Sequence, residues 1–458
     1  MKRTLFFLFL GFLHYWNISL THAQSTSEPI DHESETVILT RGPYLQSLSP
    51  TGITIRWRTN IPVLSKVVYG EDLKILDHTS QLNKETLEHE VRLNDLSPYT
   101  KYYYRVYLSD DVHIEADSSY YFITSPEKDT DQPVRIWALG DFGLGNDIAR
   151  QVKESYFNHS KGEHTDVWLM LGDIAYNSGT EAEFQRALFN NVYDEFLRNT
   201  VAWPTPGNHD CRSADSKIES GPYYEIFSLS VDGESGGYPS KTEAYYSFDY
   251  GNIHFISLDS EECPRDKDGE MANWLIEDLK TNQSEWLIVF FHHPPYTKGT
   301  HDSDHKRDSR RRMIEMRENF LPIIESYNAD LVLSGHSHVY ERSHLIHGHY
   351  GFSDSFAPKQ MIIAKPKKKK GVFTYIKNEQ SNGTMYIVCG VGSHKPQHAP
   401  LNHPVMSIGM NEYPGSLSIE IYDNRLQGRF IDMNGKVRDN FAITKEKLSG
   451  NDEIGLIE

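Results

Sequence analysis

Five short motifs bring together side chains that bind metal ions and move protons. They are Gly140-Asp141-Phe142-Gly143, Gly172-Asp173-Ile174-Ala175-Tyr176, Gly207-Asn208-His209-Asp210, Val289-Phe290-Phe291-His292 and Gly335-His336-Ser337-His338. Carboxylates, imidazoles, an amide oxygen and a phenolate suit iron, zinc or manganese, and suit copper(I) or an iron–sulfur cluster poorly. There are donors enough for two ions, and an aspartate can bridge a pair through its oxygens. Two metals ~3.5–4 Å apart clamp the attacking and leaving oxygens of a phosphoryl displacement. Singly each motif is weak, because Gly-Asp and Gly-His are ordinary turn dipeptides. Five in this order, each directly after an expected strand, are not explained by turn chemistry.

The elements that must position them follow from the hydrophobic pattern. Apolar runs at 134–139, 167–171, 286–291 and 330–333 read as buried strands, and 146–157, 180–198 and 309–327 suit helices. Residues 245–258 read as a hairpin turning at Tyr250-Gly251-Asn252, and 384–390, 416–423 and 426–433 as late strands. This mixture predicts two sheets flanked by helices. In an α/β sheet the strand C-terminal ends share one edge, so ligands almost 200 residues apart in sequence can meet there. A glycine before a ligand turn lets the backbone bend and approach closely.

Upstream, residues 37–125 alternate as an all-β segment, with Ile53, Ile55 and Trp57 on one face. Tyr102, a few residues after the turn around Pro98, suggests the tyrosine corner of immunoglobulin-like sandwiches. The segment resembles a fibronectin type III domain with Trp57 as its core tryptophan, a scaffold or lid without chemistry of its own. Residues 126–133 read as a polar linker, 24–37 as a short acidic tail, and the run Lys365 to Lys370 as an exposed loop. Lys2 and Arg3, an apolar run from Leu5 to Leu13 and a small-residue site at Thr21-His22-Ala23 have the layout of a secretory signal peptide over residues 1–23. The run is well short of the ~20 residues of a membrane span. The mature protein is therefore expected to be exported, periplasmic or secreted, with no membrane span.

The chain has 46 Lys plus Arg against 64 Asp plus Glu, a formal charge of −18. That excludes a general binder of nucleic acid or of anionic membranes, which needs a basic surface. Three cysteines exclude a disulfide scaffold and a Cys₄ zinc module. The anomaly is histidine: there are 22, nine of them between His292 and His349.

Together the motifs resemble the metallophosphoesterase superfamily, Tyr176 narrows the resemblance to purple acid phosphatases, and with the N-terminal β domain the chain looks like their larger, plant-like type. It covers about residues 40–440. It implies an N-terminal fibronectin III-like domain at 38–126 and an α/β metallophosphoesterase domain at 133–445, built as a two-sheet sandwich flanked by helices. It implies that Asp141, Asp173, Tyr176 and His338 hold Fe(III). Asp173, Asn208, His292 and His336 then hold a divalent ion (Fe, Zn or Mn), with Asp173 bridging. In that family tyrosinate-to-iron charge transfer gives the purple colour. The expected reaction is hydrolysis of small phosphate monoesters by in-line attack of a metal-bound hydroxide, with an imidazole protonating the leaving alkoxide. His209 and His301 are the candidate catalytic residues.

Around this set, Asp210 is expected to orient His209 or His338, and His305 to reach substrate from the loop of His301. His293 should face away from the ligands, His254 should be a core or supporting histidine, and His344, His347 and His349 should lie on the surface or in loops. Tyr340, Glu341 and Arg342 should be structural. Cys211 either pairs with Cys263 or is a free thiol near the site, and Cys389 is buried. Two rival readings stand: a phosphodiesterase or nucleotide pyrophosphatase on the same ligands, and an exported non-catalytic metal-binding protein.

Overall fold

Ile53, Ile55 and Trp57 are all fully buried, as their alternation requires. Their polar neighbours Thr54 and Arg56 are buried as well. Arg56 donates to the Glu225 carbonyl at 2.6 Å and to Ser228 Oγ at 3.1 Å, so the second face of this strand is covered by later chain. The computed structural model describes residues 36–446 except 110–111, 115–116, 129–131, 191 and 379–381. The expected signal peptide and nearly all of the acidic tail lie outside the described residues. Among those described, no helix is long and apolar enough to cross a membrane.

Five strands come first: β1 (Leu39–Ser49), β2 (Gly52–Gly70), β3 (His78–Leu93), β4 (Lys101–Tyr107) and β5 (Tyr121–Ile123). They form one hydrogen-bonded sheet in the order β1-β2-β4-β5, with β3 on the other edge of β2. The 19-residue β2 changes partner along its length: its first half pairs β1, its second half pairs β4, and its register with β3 shifts between Arg58 and Val63. Trp57 stacks on His89 at 4.6 Å, and the amide of Ser97 donates to Tyr102 Oη at 3.0 Å.

The later strands, in chain order, are β6 (Val134–Leu139), β7 (Val167–Met170), β8 (Ala202–Pro204), β9 (Tyr246–Tyr250), β10 (Ile253–Ser257), β11 (Trp286–Phe290), β12 (Leu331–Ser334) and β13 (Tyr340–Ile346). After them come β14 (Ile362–Ala364), β15 (Lys367–Lys369), β16 (Val372–Lys377), β17 (Thr384–Cys389), β18 (Met406–Met410), β19 (Gly415–Tyr422), β20 (Arg425–Asp432) and β21 (Val437–Lys445). They make two eight-stranded sheets. One runs β15-β16-β21-β20-β19-β6-β7-β8, with β6, β7 and β8 mutually parallel. The other runs β14-β13-β17-β12-β11-β10-β9, with β10, β11, β12 and β17 parallel and β18 beside β13. The expected hairpin is β9 and β10, paired antiparallel.

Parallel strands are apolar on both faces because helices or a second sheet cover both. All residues of β7, β11 and β12 are buried accordingly. The helix Asp147–Ser160 follows β6; its N-cap Asn146 accepts from the amide of Ala149, and Lys161 ends it in the left-handed region. Under it Trp137 stacks between Tyr156 and Trp168, at 4.6 and 5.0 Å.

Two expected helices differ. The helix expected at 180–198 is broken: Glu181–Phe184 continues as a π turn to Phe189, and a separate turn follows at Asp194–Leu197. Asn190 leaves helical backbone, and its Oδ1 accepts from Gln185 Nε2 at 3.0 Å, a side-chain closure that competes with the helix ladder. The helix expected from 309 begins at Arg312, because Ser309, Arg310 and Arg311 hold φ of 46°, 50° and 72°. The lysine run is likewise not a loop; it contributes β15, an exposed edge strand whose charge discourages further pairing.

Candidate metal centre

Every motif of the candidate site sits where a parallel strand ends. Asp141 follows β6, Asp173 follows β7 and Asn208 follows β8, in one sheet. His292 follows β11, and His336 and His338 follow β12, in the other. The turns are sharp. Asp141, Asp173 and His336 themselves hold φ of 57°, 53° and 67°, a region that non-glycine residues seldom occupy. The glycines before them serve mainly close approach. A Cβ on Gly172 (φ 82°) would lie 2.4 Å from His292 Nδ1, and one on Gly335 would lie 2.6 Å from Asp141 Oδ2.

The donors form two groups that share Asp173. In the first, Tyr176 Oη lies 3.0 Å from Asp141 Oδ1 and 2.8 Å from Asp173 Oδ2. His338 Nε2 stands 3.5 Å from the phenol and 3.3 Å from Asp141 Oδ1. In the second, His292 Nε2 lies 3.2 Å from Asn208 Oδ1 and 3.4 Å from Asp173 Oδ1. Donor atoms of Asp141, Asp173 and His292 all fall within 4.8 Å of one another. His336 borders this group and a second one. Its amide donates to Asp141 Oδ2 at 2.7 Å and its ring lies 5.0 Å from that of His292. Its Nε2, however, meets Ser309 Oγ at 2.6 Å, and its ring stacks on His301 at 3.9 Å. His301, Asp308 and His336 thus make a second cluster.

The field at this site seeks a cation. Asp141 and Asp173 are almost fully buried. Both nitrogens of His292 face acceptors, Nδ1 donating to the Leu171 carbonyl at 2.9 Å. Burial pushes the His292 imidazole down, but Asp173, Asp141 and the Leu171 carbonyl together outweigh it and lift the group to about 10. Burial likewise pushes Asp173 up, yet His292 and His209 hold its carboxyl well below the usual range. Burial and then the carboxylates of Asp141 and Asp173 drive the Tyr176 phenol far up, so a phenolate there requires a strong positive charge. Oxygen and imidazole donors around a buried, negatively charged point fit hard or borderline metal ions.

Of the catalytic candidates, His209 lies over Tyr176 (ring centroids 4.3 Å apart), with Nδ1 2.6 Å from the Asn177 carbonyl and Nε2 3.9 Å from Asp173 Oδ2. Nδ1 of His301 lies 2.8 Å from Asp308 Oδ1. Asp210 contacts neither His209 nor His338 through its carboxylate. It accepts from the amides of Gly207, Ile174 and Ala175 and ties two ligand turns together. His293 does not face away from the ligands: its Nδ1 pairs with Ser260 Oγ at 2.9 Å, but its ring lies 4.4 Å from that of His336 and it lines the cavity beside Asn208, whereas His305 is exposed. His349 is buried, contrary to expectation, because its ring stacks on Tyr296 at 5.6 Å. His254 is a core residue held between Asp249 and Asp278. Tyr340 and Arg342 bind the buried Asp439. Cys211, Cys263 and Cys389 are all free thiols.

Three residues at the site escaped the sequence reading. His394 stacks on His338 at 3.6 Å and meets Tyr176 edge-on at 5.0 Å. It follows β17 in Gly390-Val391-Gly392-Ser393-His394, so the layout used for the other ligands also marked it. Asp308 and Ser309, which hold His301 and His336, lie in an irregular loop with no comparable signal.

Residues 134–340 match the calcineurin-like phosphoesterase family. The chain is 27% identical over 361 residues to purple acid phosphatase 15 of Arabidopsis thaliana, covering 71% of this chain and 64% of that protein. It is 25% identical over 368 residues to a phosphoenolpyruvate phosphatase of Allium cepa, covering 73% and 70%. It thus spans less than two thirds of the Arabidopsis relative's length. A purple acid phosphatase from yellow lupin seeds superposes over 89% of this chain and 75% of its own, with a TM-score of 0.67 at 17% identity, which speaks for the fold. Residues 134–340 thus match a calcineurin-like phosphoesterase domain, and the relatives that the chain resembles include purple acid phosphatases.

Proposed function

We propose that the protein is an exported, binuclear metal-dependent acid phosphatase acting on small phosphate monoesters. One observation carries this reading: the Asp173 carboxylate belongs to both donor groups, one oxygen toward Tyr176 and the other toward His292. Asp141, Asp173, Tyr176 and His338 would hold the ferric ion, and Asp173, Asn208, His292 and His336 the divalent one. When bound, the metal pair supplies Lewis-acid activation of water and charge neutralisation for in-line displacement at phosphorus. The chain does the rest. Asp210 fixes the turns that carry Asp173 and Asn208. His209 and His301 each have Nδ1 engaged by an acceptor, which leaves Nε2 to carry the proton that the departing alkoxide requires. Residues 38–126 are read as a fibronectin III-like domain, on the buried Trp57 and the Tyr102 bond, residues 133–445 as the catalytic domain, and residues 1–23 as a signal peptide.

The test measures bound iron and zinc or manganese together with hydrolysis of chromogenic mono- and diesters. The expected result is about two metals per chain and a monoester preference. Wild-type turnover by Asp173→Ala at wild-type metal content sinks the proposal.

A further inference from the structure

Beside Asn208 a cavity of about 390 Å³ opens, lined among others by Arg212, Arg307, Ser309 and Arg310. That volume is within the range of small-ligand sites. Its charge is opposite to that of the protein. The whole chain carries −18, whereas the lining holds four arginines against Glu261 and Glu262. The fourth arginine, Arg312, is already spent on Glu261, which it meets at 2.6 Å. Glu262 accepts from the amide of Ser216 at 2.7 Å. Arg212 is exposed, and its guanidinium donates to the Asn177 carbonyl at 2.9 Å. Arg307 and Arg310 are exposed and have no hydrogen-bond or ion-pair partner among the described residues.

The loop that presents them is fixed rather than loose. Ser309, Arg310 and Arg311 occupy the left-handed region consecutively, a costly arrangement that persists only where the surroundings impose it. Here they do: Ser309 Oγ is held by His336 Nε2 and by Asp308 Oδ1, at 2.6 and 2.9 Å. The same turn that touches a proposed ligand histidine therefore projects an unpaired guanidinium into the cavity that also reaches Asn208.

We propose that this cavity is an anion subsite for a second phosphate, so that the preferred substrates are phosphomonoesters bearing another phosphate group. The inference rests on the phosphatase reading above and gives it a substrate class. Arginine is suited to the task because its planar fork binds phosphate oxygens in pairs. The site also answers an electrostatic difficulty: a strongly acidic protein repels polyanions at long range unless the site itself is positive.

The test compares metal-loaded wild type, the Arg307→Ala/Arg310→Ala double variant and Arg311→Ala. Arg311 shares the turn but does not line the cavity and faces Glu315 at 3.9 Å, so it reports damage to the turn alone. Two readouts are needed: kcat/KM for fructose 1,6-bisphosphate against fructose 6-phosphate, and calorimetric affinity for pyrophosphate against orthophosphate. In wild type the doubly phosphorylated member of each pair should be favoured, chiefly through KM. The double variant should lower that preference by about tenfold, the scale of a charge-assisted contact, and Arg311→Ala should not. Added salt should erode the wild-type preference. Equal losses on both members of a pair, or the same change in Arg311→Ala, overturn the subsite. Absence of turnover on either sugar ester overturns the phosphatase reading instead, while the pyrophosphate measurement still judges the subsite.

Discussion

Replacing Gly172 by alanine tests the argument that a glycine at a strand end is there to admit a ligand histidine. The position holds φ of 82°, and an added Cβ would lie 2.4 Å from His292 Nδ1. Gly162, just past the helix Asp147–Ser160, has a similar φ of 74° but nothing within 4 Å of its Cβ. Both alanine variants incur the left-handed strain, roughly 1–2 kcal/mol. Only Gly172→Ala must also displace His292, which is fully buried and cannot swing into solvent. Displacement breaks the bond from Nδ1 to the Leu171 carbonyl, of 2.9 Å, and leaves a buried acceptor unpaired, a further cost of about 1–3 kcal/mol. Gly172→Ala should therefore be about 2–5 kcal/mol less stable than wild type in urea unfolding with chelator present, and Gly162→Ala only about 1–2. Under metal-replete conditions Gly172→Ala should also lose bound metal and activity, whereas Gly162→Ala should retain both. If the two variants unfold together and carry the same metal, the close approach of Gly172 to His292 has no energetic meaning and the reasoning fails.

Three other outcomes follow from groups near and far from the centre. Burial pushes His254 down, but Asp278 and Asp249 outweigh it and raise it to about 9. A group raised above its unfolded value of about 6.5 contributes stability that is complete below that pH and fades as pH rises toward 9. Unfolding free energy should thus fall by up to about 3 kcal/mol across that window, and His254→Gln should flatten the profile. Arg342 and Asp439 form a buried bidentate pair at 2.6 and 3.1 Å, so Asp439→Ala, which strands a buried guanidinium, should cost about 3–5 kcal/mol by chemical denaturation. Protein loaded with ferric iron should absorb in the visible, and Tyr176→Phe should abolish that band; an unchanged spectrum removes the phenolate from the proposed set.

The strand positions were readable because buried parallel strands leave continuous apolar runs. β6, β7, β11, β12 and β17 each fall within a residue or two of where Val, Leu, Ile and Phe cluster. Helix lengths were less readable. The pattern from 180 to 198 has helical periodicity, but periodicity does not record that Gln185 reaches Asn190 and closes the helix early. Nor does alternation in β2 reveal that its polar face is covered: Thr54 and Arg56 have the side chains of a solvent face, and only the later segment around Glu225 and Ser228 buries them.

At the site the same contrast has a single physical origin. Asp141, Asp173, Tyr176, Asn208, His292 and His338 converge because their motifs follow parallel strands, and strand direction is legible from pattern and order. His394 obeys the same rule after β17, so it was within reach of the sequence. The turn at Ser309, Arg310 and Arg311 was not. Left-handed backbone normally announces itself through glycine or asparagine, and this turn contains neither. Asp141, Asp173 and His336 share that property: the ligand itself, rather than only the glycine beside it, takes the left-handed φ. Such conformations are imposed by the assembled site through the bonds that Asp210, His336 and Ser309 make across it. Residues that depend on those bonds, the cavity arginines among them, therefore become visible only when the two sheets are brought together.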